Sequence, residues 1–227
     1  MKGKETLIDV PYNGQGITAS HPWFDVQQAA VPDQEREAVW NRLILNDFYE
    51  ILQLYSFQPA PLPPPAIAGT MPMLTIKYDI KRNDAYLLSI LYTVFYSSPY
   101  SAHPSELVYT TNIDKAKSRR LRLPDLVQVS PAFVQNFRTW KMVTTETNPE
   151  VRKAMEDYLS TLTDNELLMA FQSADHITMS NPWGAYSYVT PTSLGISLLA
   201  PNYLGDHIEY EEPLSQLTGF LKRDSFY

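Results

Sequence analysis

The chain has 227 residues, 44% of them hydrophobic and 19% charged, which places it among globular proteins and away from disordered chains, whose apolar content is too low to build a core. A formal charge of -7 and a pI near 5.1 argue against a protein that holds nucleic acid by neutralising phosphates, and against adsorption to anionic lipid. With no cysteine there is no disulfide, thiolate metal site or cysteine nucleophile, and cysteine usage leaves the redox compartment open.

The opening MKGKETLIDV carries two lysines but no apolar run of signal-peptide length behind them. No stretch approaches the roughly 20 apolar residues that cross a bilayer, so a soluble chain is expected, and an exported one lacking its signal would read the same way. From Glu37 to Tyr55, the apolar residues Trp40, Ile44, Phe48, Ile51 and Tyr55 recur at helical spacing, with Asn41, Asp47 and Glu50 between them, which predicts an amphipathic helix. The Pro-rich stretch 59–69, PAPLPPPAIAG, forbids helix and predicts an extended surface loop.

From Met73 to Lys81 apolar and polar residues alternate, the mark of a half-buried strand. Tyr86 to Tyr96 reads as a central strand covered on both faces, and Leu107 to Ile113 as a third, completing an antiparallel meander. The period then changes. Ser130-Pro131 and Asn148-Pro149 each read as an N-cap followed by proline at the first helical position, and Thr163-Asp164-Asn165-Glu166 as a capping box, so three helices are expected in succession. Ala185 to Val189 and Leu194 to Leu199 predict a hairpin, and Pro213 to Leu221 a closing helix. Strands grouped on either side of a helical block indicate an α+β fold, with an antiparallel sheet from the meander and hairpin packed on the N-terminal helix and the helical block. A single unit over 1–227 is expected, built from subregions of about 1–114 and 115–227.

Nucleophile elbows, phosphate-cradling glycine loops and zinc-protease helices have no counterpart in the sequence, and no cofactor motif is legible. His21 and His103 precede proline in extended or turn backbone, where a structural hydrogen bond and a catalytic or ligand role are the competing readings. His176 suits a helix end, and His207 has Asp206 and Glu209 for neighbours, short of a second cluster that would complete a metal site. The run Lys115, Lys117, Arg119, Arg120 and Arg122 reads as a solvated turn or as an anion patch. Trp183, Tyr186 and Tyr188 are either a platform for a sugar ring or core residues.

The segment NDAYLLSILYTVFY, followed by YSAHPSELVYTTNID and RLRLPDLV, resembles the exported domain of RsiV-type anti-sigma factors and related bacterial envelope proteins. The resemblance rests on an Ala102-His103 turn, a strand ending in Asn112-Ile113-Asp114, and the step Leu121 to Leu126 before a helix, with Asn41 at a matching asparagine of the first helix. Serine and proline replace the glycine that often precedes the Ala-His pair, and the 59–69 stretch is an insertion. The resemblance implies an extracytoplasmic α+β module, in one subgroup a receptor for lysozyme. Together with the missing catalytic signatures it leads to the expectation of a non-enzymatic binding or sensing module, with lysozyme or a cell-wall glycan as partner and His103, Tyr100, Trp183 and Tyr186 as candidate binding residues. The acidic charge is compatible with a basic partner such as lysozyme. The alternatives are a carbohydrate-active enzyme using His103 with Glu106 or Asp114, and a cytoplasmic scaffold. Oligomeric state is not legible.

Overall fold

A computed structural model describes residues 2–6, 16–25, 31–56, 72–99, 101–144, 146–178 and 184–222. The Pro-rich 59–69 stretch lies outside the described residues. The fold is α+β and holds two sheets. Strands β1 (Lys2–Thr6), β2 (Gly16–Trp23), β3 (Met73–Asn83), β4 (Leu87–Ser97), β5 (Ser105–Asp114) and β6 (Arg119–Leu121) follow one another in a six-stranded sheet. All neighbours are antiparallel except β2 and β3, which are parallel. The chain between β2 and β3 includes helix α1 (Val31–Ser56), and a parallel pair requires a crossover of this kind.

The meander predicted from alternation is present as β3, β4 and β5, while α1 begins six residues before the predicted Glu37. One face of the first sheet carries Leu74, Ile76, Ile90, Tyr92 and Val94 against Ile44, Phe48 and Ile51 of α1. Each such fully buried side chain stabilises by about 1.5–3 kcal/mol. Two polar groups of α1 are also buried, and each is used. Asn41 accepts the Phe24 N–H at 2.9 Å and donates to the Phe24 carbonyl at 3.0 Å, clamping the end of β2 to the helix. Asp47 accepts from the Thr111 hydroxyl at 2.6 Å and pairs with Arg120.

Helices α2 (Leu123–Leu126), α3 (Pro131–Phe137), α4 (Pro149–Thr161) and α5 (Asp164–Gln172) follow, with strand β7 (Lys141–Val143) between α3 and α4. The predicted starts hold: Ser130 and Asn148 cap α3 and α4, and Thr163 and Glu166 form the capping box of α5. The predicted hairpin, β8 (Tyr186–Val189) and β9 (Ser193–Leu199), lies in a second four-stranded sheet of order β7-β10-β9-β8. Strand β10 (His207–Pro213) was not expected. Its charged residues alternate with Ile208 and Tyr210, and the closing helix expected over Pro213 to Leu221 is reduced to a 3-10 turn, Leu214–Gln216. Leu194, Ile196, Leu198 and Tyr210 pack against Phe133, Phe137 and Phe171 of the helices in a second core.

A buried polar seam joins the two sheets. Asp175, just beyond α5, accepts the Thr110 hydroxyl of β5 at 3.1 Å, the Leu123 N–H at 2.6 Å, and both the N–H and hydroxyl of Ser187 in β8 at 2.5 and 2.6 Å. Beside it, Ser89 donates to Asn112, Asn112 donates to the Ser187 carbonyl, and the Val189 N–H donates to Ser89. Truncating the Asp175 carboxylate strands these donors in a buried site, where each unsatisfied group costs about 1–3 kcal/mol. Asp175→Ala is therefore expected to lower the unfolding free energy in urea by about 3 kcal/mol or more, and a loss below about 1 kcal/mol would contradict the seam's role.

Candidate functional site

The face of the first sheet opposite α1 meets the second sheet only in part. Leu91, Val108 and Tyr188 close the contact near β8 as a small buried cluster. Tyr188 stands opposite Gly195 in the β8–β9 register, and a Cβ at Gly195 would come within 2.2–2.6 Å of the Tyr188 ring, so only glycine lets the ring lie across β9. The Tyr188 hydroxyl reaches Glu211 on β10 at 2.9 Å, and Lys81 sits 5.3 Å from the centre of its ring. Burial together with Glu209 and Glu211 raises the Tyr188 phenol, so it remains a proton donor.

Beyond this contact the sheets leave a cleft of about 690 Å³ between β4 and β5 on one side and β10, β7 and the start of α4 on the other. A groove of about 340 Å³ bearing Thr75, Lys77 and Phe95 shares Thr93 and Glu106 with the cleft, and one of about 550 Å³ running past Lys141, Ser193 and Glu211 shares Val143 and Thr144. Chain segments far apart in sequence meet at the rim. The Glu106 N–H donates to Asp206 at 2.8 Å, His207 Nδ1 lies 3.2 Å from the Glu106 carbonyl, and Asn202 donates to the Pro104 carbonyl. Tyr203, in a 3-10 turn (Asn202–Leu204) before β10, stands at the mouth and is 74% exposed.

His207 Nε2 is 3.7 Å from Glu209, an ion-pair separation. Burial works to lower the His207 pKa, but Glu209 and the Glu106 carbonyl outweigh it and the net direction is upward. Burial likewise works to raise Glu209, and His207, Tyr188 and Lys81 reverse it, leaving Glu209 below the usual carboxylate range. Each partner holds the other in its charged form.

The structure separates the residues singled out from the sequence. Tyr100 and Trp183 lie outside the described residues. His103 is exposed on the turn before β5, with Nδ1 3.1 Å from the carbonyl of its own neighbour Pro104, and Tyr186 is buried, its hydroxyl donating to the His176 carbonyl at 3.2 Å. His103 is not brought to Asp114, which accepts the Lys117 N–H at 2.9 Å and lies beside Arg119 in the turn after β5. Glu106 meets His207 rather than His103. Asp206 turns to Glu106 and Asn202, so Asp206, His207 and Glu209 do not converge, and among the described residues no group of three His, Asp or Glu is placed to hold a metal ion. The basic run is a turn only at Lys115 to Ser118: Lys115 lies over the Phe24 and Trp40 rings, and Arg120 turns in to Asp47. The sequence signal that points to the cleft is the period-2 pattern of 207–211, hidden by its charges, and nothing in the sequence marks Tyr203.

A groove of about 330 Å³ between α4, α5 and the end of β9 is lined mainly by hydrocarbon, and the carboxylate at its edge, Glu166, is committed to the α5 capping box. The inter-sheet cleft is therefore the candidate site. An NMR titration is expected to find the His207 midpoint above the 6.5 of an unperturbed histidine and to find it lowered in Glu209→Gln; a midpoint at or below 6.5 in the wild type would refute the ion pair.

No family model matches this sequence, and no curated protein matches it. Among solved structures, a DUF3298 family protein from Pseudomonas aeruginosa PAO1 is similar over 100% of this chain and 96% of its own, with a TM-score of 0.56 at 13% identity. A member of the same family from Bacteroides fragilis is similar over 92% of this chain and 84% of its own, with a TM-score of 0.45 at 13% identity. The first likeness shows that this arrangement of two sheets and helices is a fold found in nature. Among the described residues no helix is long and apolar enough to cross a membrane.

Proposed function

We propose that this chain is a non-enzymatic, extracytoplasmic binding or sensing module of a bacterial envelope protein, and that it takes its ligand in the cleft between the two sheets. One observation carries this reading: an open cavity of about 690 Å³ whose imidazole is committed to an ion pair. That size lies within the range of ligand sites. A general base has to offer a neutral nitrogen, and the Glu209 carboxylate works against that state of His207. A binding site has no such requirement, because charged groups locked in direction are what fix a ligand's orientation.

The extracytoplasmic address is supported by the sequence's resemblance to the exported domain of RsiV-type anti-sigma factors, and the bacterial setting by a fold shared with a DUF3298 family protein of a bacterium. Lysozyme and cell-wall glycan are the partners that this resemblance brings forward. The reading expects the wild-type chain to retain muropeptides from a cell-wall digest, or lysozyme, in equilibrium dialysis. The Glu106→Ala/His207→Ala double variant, altered on both walls of the cleft, should bind at least about tenfold more weakly. Retention of neither by the wild type, or equal retention by the variant, would overturn the reading.

A further inference from the structure

Resting on the reading of the cleft as a ligand site, we infer that its ligand is a neutral oligosaccharide, with Tyr203 as the platform for one sugar ring and Glu106, Glu209 and the threonines as partners for sugar hydroxyls. The lining argues for an uncharged ligand. Among the described residues of the main cavity there is no lysine or arginine, and the imidazole of His207 is already faced by Glu209, so a phosphate, sulfate or carboxylate would meet more like charge than opposite charge there. Two of the carboxylates, for their part, already have partners. Glu209 is faced by His207 and Lys81, and Glu146 accepts the Asn148 N–H at 2.6 Å, which leaves Glu106 to meet a ligand's donors. A cationic ligand would compete with His207 and Lys81 for Glu209, whereas a hydroxyl donates to a fixed carboxylate lone pair without competing for its charge.

The remaining chemistry suits a polyol with one apolar face. Ionised carboxylates accept hydroxyl protons in short, charge-assisted hydrogen bonds. Thr93, Thr144 and Thr147 add hydroxyls that both donate and accept, so that either sense of a sugar hydroxyl can be met. A pyranose also presents C–H groups on its ring faces, and these need an apolar surface. Val143, 44% exposed, and Met155 provide it along the wall, and Tyr203, 74% exposed at the mouth, provides a flat one. An aromatic ring so exposed contributes little to the core. Its removal is therefore a clean test that leaves the fold in place.

The experiment is isothermal titration of the full chain with cellotriose, maltotriose and fully N-acetylated chitotriose, alongside fully deacetylated chitotriose and lysozyme as cationic probes, at low and high salt. The inference expects at least one neutral trisaccharide to bind with an affinity that changes less than about twofold with salt, since no charges are paired across the interface. Tyr203→Ala should weaken that binding about tenfold, and Tyr49→Ala, at an exposed tyrosine on α1, should leave it unchanged. If only the cationic probes bind, and binding collapses with salt, the oligosaccharide inference is overturned while the cleft remains a ligand site. If no probe binds, the inference is overturned, and the function proposed above then stands or falls on the retention of muropeptides in the dialysis.

Discussion

The buried carboxylate of Asp175 is the interaction on which the rest of the structure depends. A carboxylate taken out of water costs several kcal/mol unless hydrogen bonds replace its hydration. Here four donors do so, and they come from β5, β8 and the start of α2. Satisfying one side chain therefore fixes three elements around the end of α5, and the Ser89, Asn112 and Val189 bonds extend the seam by one strand on the first sheet. The backbone at Asp175 itself has φ 66°, a left-handed conformation that aspartate tolerates better than most residues. The second sheet is tied to β5 again at Glu106, by Asp206 and His207. The cleft is the space that these two attachments leave open.

The seam has an electrostatic cost as well as a geometric role. Burial pushes Asp175 up to about 6, in spite of the hydrogen bonds that pull it down. A carboxyl whose folded pKa exceeds its unfolded value, about 3.9, contributes stability that is complete below that lower value and is lost as pH rises through the upper one. The ion pair in the cleft has the same sense for its imidazole. With His207 raised above its ordinary value, its contribution is present below pH of about 6.5 and declines above it. Mild acidity thus favours both the junction of the sheets and the charged form of the site.

Much of the fold was legible because local signals and burial agree. The alternation of Met73 to Lys81, the proline-marked starts at Ser130 and Asn148, and the capping box at Thr163 each specify an element by local chemistry, and each is present. The division into two sheets was not legible, because pairing between distant strands leaves no mark in either one. Strand β10 was missed because its polar positions are charged residues facing a cleft, a pattern that looks like exposed loop when the opposite wall is unknown. The residues that carry the family resemblance prove to be ties. Asn112 lies in the seam, Leu123 donates to Asp175, Asp114 closes the turn after β5, and Asn41 clamps β2. Residues of this kind hold a fold together without revealing a ligand.

The candidate site follows a different logic. Tyr203, Glu106 and His207 come together only through the long-range ties around Asp206, so no spacing in the sequence announces them. The account's central claim is that ligand enters between the two sheets. Mapping amide chemical shifts while a cell-wall digest is added tests it most directly. The account predicts perturbations on both walls at once, at Thr93 and Glu106 on one side and at Val143, Tyr203 and Glu209 on the other. Perturbations confined to the groove between α4 and α5, or to the exposed turn at His103, would contradict it.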